Sequence, residues 1–89
     1  MIINNDNIAV FTSKQILEGD PIMRVYCNKD DFTLEFYPDK DFNQEDLRVI
    51  SLRQAFSLDS SLEDLVVRLS LGECAYRESF GSPWIISSL

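Results

Sequence analysis

Carboxylates are the reactive side chains this sequence carries in quantity, fifteen of them among 89 residues, and it contains no histidine. Some are adjacent, as in Asp30-Asp31 and Glu63-Asp64. Glycosidase-type acid–base work needs two carboxyls held a set distance apart across a cleft, one with a raised pKa. Adjacent acids in a turn or in the first turn of a helix have ordinary structural reasons instead. Asp39-Lys40-Asp41-Phe42-Asn43-Gln44 opens like a calcium loop with ligands at alternate positions. Gln44, however, stands where the sharp-turn glycine belongs, and Ile50 stands where the closing glutamate belongs. A serine or cysteine nucleophile needs a base, and without histidine only lysine or a carboxylate can serve. Phe80-Gly81-Ser82-Pro83 is a turn signal rather than a nucleophile elbow, and the glycines are too isolated for a phosphate loop. Cys27 and Cys74 form no C-x-x-C unit and no zinc spacing, so both read as buried thiols. These patterns predict a chain that is not an enzyme and holds no metal and no cofactor.

The charge pattern is more informative. Fifteen acids against eight bases leave a net charge of −7, which disfavours nucleic acid and anionic membrane surfaces. Between Lys29 and Asp46 lie Asp30, Asp31, Glu35, Asp39, Asp41, Glu45 and Asp46, against two lysines. Tyr26 and Tyr37, with Ile22, fall on the hairpin face opposite the core in the register given below. Aromatic rings beside acids suit a protein-binding surface, because the rings supply contact area and the charges steer a basic partner. Asp30, Asp31, Glu35, Tyr26, Tyr37, Asp39, Asp41 and Glu45 are therefore the candidate partner-binding residues. The alternatives are a homo-oligomer that pairs sheets through Ile22, Tyr26 and Tyr37, and a small ligand-binding protein or enzyme. A pocket of a few hundred Å³ with convergent polar groups would favour the last. Trp84, near a turn, reads as a lid on the core.

The elements that must position these residues follow from periodicity. The length suits one domain over residues 1–89, with residues 1–7 polar and loose. No apolar run nears the roughly 20 residues of a membrane span, and the first residues lack a signal-peptide pattern, so a cytoplasmic location is expected. Residues 8–11, 22–27, 32–37, 47–51, 73–78 and 84–87 read as strands. A four-residue turn, Asn28 to Asp31, would pair Cys27 with Phe32, Val25 with Leu34, Met23 with Phe36 and Arg24 with Glu35. Thr12 with Gln15, Ser51 with Gln54 and Ser60 with Glu63 have capping-box spacing. Behind the last, Leu62, Leu65, Val66 and Leu69 form a helical stripe. The expected architecture is α+β: a mostly antiparallel sheet of five or six short strands, with two or three short helices on one face.

A family resemblance runs through the same residues. Thr12…Ile16-Leu17…Gly19-Asp20-Pro21-Ile22…Val25, then Glu35-Phe36, Glu45-Asp46…Val49-Ile50-Ser51-Leu52, Asp59-Ser60-Ser61-Leu62, Gly72…Ala75…Arg77 and Pro83-Trp84 carry it. Together they resemble a group of small bacterial cytosolic proteins of unknown function, similar to the immunity proteins of polymorphic toxin systems. The resemblance implies a partner, a toxin neutralised by occlusion, and the group has no established catalytic residues to carry over to this sequence. Cys27-Asn28 stands where that group commonly has a His-Asp pair.

Overall fold

Alternation builds the frame. Val10 and Thr12 of β1 (Ala9–Ser13), Val25 and Cys27 of β2 (Arg24–Cys27), and Leu34 and Phe36 of β3 (Leu34–Tyr37) are buried on one side of a sheet. Ile50 of β4 (Leu47–Ser51) and Ala75 of β5 (Glu73–Tyr76) join them, and β6 (Ile85–Ser88) completes the sheet. The computed structural model describes residues 5–88, and within them the strand order is β4-β1-β3-β2-β5-β6. The β1–β3 pair is parallel and the other neighbours are antiparallel. The fold is α+β, as the patterning predicts, with short helices α1 (Lys14–Leu17), α2 (Leu52–Leu58) and α3 (Ser61–Arg68). Among the described residues no helix is long and apolar enough to cross a membrane.

The helices cover the buried side of the sheet. Leu62, Leu65, Val66 and Leu69 are fully buried, and with Leu52 and Ala55 of α2 they close the core over Val25, Leu34 and Phe36. Ser51 begins α2 as the spacing predicts: its hydroxyl accepts from the Gln54 backbone N–H at 3.0 Å. Ser51→Ala should lower stability by about 1 kcal/mol, read as a shift in the urea midpoint at unchanged slope.

Several expectations are corrected. The hairpin pairs Cys27 with Leu34, Val25 with Phe36, Tyr26 with Glu35 and Arg24 with Tyr37, two residues off the predicted register. A six-residue turn is the reason. Asn28 N–H bonds Thr33 O, while Phe32 takes a left-handed φ of 62° and sits exposed in the turn. An even slip preserves each residue's face, so the core pattern survives while the pairs change. Arg24 donates to Pro38 O and Lys40 O rather than meeting Glu35. Thr12 is no cap: it lies in β1, fully buried, and its hydroxyl donates to Phe36 O at 2.7 Å. Ser60 makes no side-chain cap either, and Asp59 does that work by accepting from Ser61 N–H at 3.0 Å. Ile22 belongs to the core, not to the opposite face. Cys27 is buried but Cys74 is only half-buried, and the pairing of Tyr26 with Cys74 puts the two free thiols on opposite faces. Burial pushes the Cys27 thiol pKa up. The loose segment expected over residues 1–7 falls outside the described residues at 1–4. Asp6 is tied to α2, its carbonyl to Arg53 N–H and its carboxylate to the Arg53 guanidinium.

Candidate functional site

Strand direction decides where the acids go. β1, β3 and β5 run one way and β2, β4 and β6 the other. The segments 14–23, 38–46 and 77–84 therefore leave the same end of the sheet, and the 28–33 turn lies at the other. The candidate partner-binding residues are divided accordingly. Asp39, Asp41 and Glu45 stand exposed at the loop end, and Asp30 and Asp31 stand exposed at the turn end. Acids contiguous in sequence are separated by at least the length of β3, roughly 10 Å.

The turn-end acids have structural work. Asp31 accepts from Thr33 N–H at 2.9 Å, and the Thr33 hydroxyl and N–H hold its carboxyl below the usual 3.8. Asp30 N–H in turn donates to the Asn28 side chain. Glu35, Tyr26 and Tyr37 lie between the two ends on the sheet face away from the helices. Glu35 and Tyr26 are half-buried, whereas Tyr37 is buried. The Tyr37 hydroxyl donates to Glu35 at 2.6 Å, and its ring packs 4.7 Å from Phe42 and 6.1 Å from Tyr26. Burial first, and then Glu35, pushes the Tyr37 hydroxyl pKa far up, so it remains a donor. Tyr37 thus fastens the 38–46 segment rather than presenting a free ring.

The loop end is acidic and built. Its three segments hold Glu18, Asp20, Asp39, Asp41, Glu45, Asp46 and Glu78 against Lys14, Lys40 and Arg77. Each of those cations is paired, Lys14 with Asp46, Lys40 with Asp20 and Arg77 with Asp59. Glu18, Asp39, Asp41, Glu45 and Glu78 are exposed and make no ion pair among the described residues. Gln15 donates to Asp46 at 2.9 Å and pins the 3-10 turn Gln44–Asp46 against α1.

Beneath this rim is a buried lock. Arg77 continues the inward phase of β5 two residues past Ala75, and its side chain is 2 % exposed. Its guanidinium pairs with Asp59, donates twice to Ile22 O, and stacks 4.2 Å from Trp84 and 5.0 Å from Phe80. The Trp84 indole N–H donates to the Ser61 hydroxyl at 3.0 Å, and that hydroxyl donates on to Asp59 at 2.8 Å. Trp84 is half-buried and packs on the core, the lid its position suggests. Burial pushes the Asp59 carboxyl up, but the hydrogen bonds from Ser61 and Arg77 outweigh it and hold the group below 3.8.

Two adjoining depressions open beside the lock. One, about 440 Å³, is walled by Ile16, Pro21, Ile22, Leu58 and Phe80 with Asp20 and Asp59. The second, about 300 Å³, shares Asp20, Pro21 and Phe80 and adds Met23, Pro38, Asp39 and Lys40. Asp20, Asp59, Arg77 and Phe80 were not among the candidates drawn from the sequence. One signal was legible, a charged residue in the inward phase of a strand, because such a group needs a buried counter-ion. Comparison with family models, with curated proteins and with solved structures finds no match for this chain.

Proposed function

We propose that this chain is a non-enzymatic protein-binding module that engages a basic partner through the loop end of its sheet. The observation that carries the reading is the two-part groove, with its apolar walls and shared Asp20 and Phe80, set among five exposed acids that make no ion pair among the described residues. Apolar walls supply affinity, while unpaired charge at the rim accelerates encounter with a positive surface. Asp59, a carboxylate with a lowered pKa, is taken up by Arg77 and Ser61, which suits a structural anion better than a proton-transfer group. Neutralising a toxin by occlusion, as an immunity protein does, is the most specific form of this reading. The test is the association rate of the captured partner across a salt series. It should fall about ten-fold or more between low and physiological salt. A rate indifferent to salt would contradict the reading.

A second reading, a homo-oligomer that pairs sheets, is favoured by the face away from the helices. There Phe11, Val49, Tyr76 and Ile85 are 38, 62, 45 and 42 % exposed. Cross-strand pairing puts Phe11 beside Val49 and Tyr76 beside Ile85. These residues, rather than the buried Ile22 and Tyr37, would form the contact. A monomer in sedimentation velocity at high protein concentration would exclude it.

A further inference from the structure

The carboxylates of the groove are not equivalent. Both oxygens of Asp59 are occupied, Oδ1 by Ser61 and Oδ2 by Arg77. Asp20 Oδ2 is buried yet has no aligned hydrogen-bond donor; only the ammonium of Lys40 stands over it as an ion pair. Lys40 reaches it on a side chain that is 56 % exposed. A long amine held by one exposed ion pair is weakly fixed, because such a pair gains little and restricts a flexible stem. Phe80, which lines both depressions, is 67 % exposed although it already faces the Arg77 guanidinium. The groove therefore offers an apolar wall, an open aromatic ring and an incompletely satisfied carboxylate within one concavity. An alkyl stem ending in a planar cation is complementary to all three. The same molecule stacks such a cation, Arg77, between Phe80 and Trp84.

We propose that the groove takes an arginine side chain of the basic partner, its stem against Pro21, Ile22 and Leu58 and its guanidinium between Asp20 and the Phe80 ring, and that Lys40 is an internal cation which the arginine displaces. The proposal rests on the partner-binding reading above and names the group on the partner that is recognised. Arginine fits better than lysine because its fork can engage both carboxylate oxygens while its plane lies on the ring.

The test uses the full chain, isotopically labelled for NMR, with N-acetyl-arginine amide as the probe and N-acetyl-citrulline amide as its uncharged counterpart. The arginine derivative should saturate at roughly millimolar concentration, as suits a ligand of this size. Its amide shifts should cluster at Gly19, Asp20, Ile22, Leu58, Asp59 and Phe80. The citrulline derivative should bind at least about five-fold more weakly, and Asp20→Asn should weaken the arginine derivative similarly. Lys40→Gln should tighten binding by about three- to ten-fold, a change that loss of fold cannot mimic. Equal binding of the two derivatives, shifts confined to residues 28–33, or unchanged or weaker binding in Lys40→Gln would overturn the proposal. Because the probe is a single amino-acid derivative, its failure leaves the partner-surface reading standing, which falls only on the association rates.

Discussion

Asp59→Ala should remove about 3–5 kcal/mol of folding stability, the penalty for stripping a buried charge of its partner. A chain of this length holds roughly 4–13 kcal/mol in all, so the variant forfeits between about a quarter of that total and all of it. The reason is geometric. Arg77 and Asp59 are 2 and 8 % exposed, and without the carboxylate the guanidinium keeps only Ile22 O, Ser61 and two aromatic faces. Trp84 and Phe80 offset part of the loss, since a desolvated cation–π contact contributes about 2 kcal/mol or more. Replacing both partners with apolar residues, Asp59→Leu with Arg77→Met, should recover most of the stability. Recovery should stop about 1 kcal/mol short, because Asp59 also caps α3 through Ser61 N–H. Chemical denaturation of the single and double variants checks both numbers.

The same pair sets an acid limit. The folded Asp59 carboxyl lies below its ordinary 3.8, so its contribution is fully present above that value. It is lost as pH falls through the lower, folded value. Asp6, Asp31 and Asp46 shift in the same direction, held down mainly by hydrogen bonds from Arg53, Thr33 and Gln15. Those three remain in Asp59→Asn. The difference between its stability and that of the native chain should therefore be constant above about pH 4 and shrink below it. A difference independent of pH would mean that Asp59 is not the ionised partner of Arg77.

The frame was legible because it is written in short-range periodicity. The stripe Leu62, Leu65, Val66 and Leu69 and the cap Ser51 stand where their spacing put them. What failed involved alternatives of similar local quality. Thr12 satisfies a capping-box spacing equally well as a strand residue, and only the parallel neighbour β3, which supplies Phe36 O, decides between them. The hairpin turn could have closed with four residues, but Phe32 with its left-handed backbone lengthens it to six. The site was hardest to read, since it is made by topology. Asp20 and Phe80 come from two connections at the same end of the sheet, and Asp59 reaches them from the turn between α2 and α3. Asp30 and Asp39, nine positions apart, are parted by the same rule.

That separation yields the other large effect. Reversing the charges of Asp39, Asp41 and Glu45 together should slow association with the basic partner by on the order of ten-fold at low salt and flatten its salt dependence. Reversing Asp30 and Asp31 alters a comparable patch of exposed acid at the far end of the sheet. At about 0.1 M ionic strength it should change the rate by about two-fold or less, because there steering weakens beyond a Debye length of about 10 Å. Fold is not at issue in the first variant, whose three side chains are exposed and make no ion pair among the described residues. The measurement is the association rate constant of the captured partner with the native chain and both variants, at a matched ionic strength of about 0.1 M. A large loss confined to the Asp39, Asp41 and Glu45 variant is the predicted result. An equal loss in both variants, or a larger one in the Asp30 and Asp31 variant, would contradict the placement of binding at the loop end.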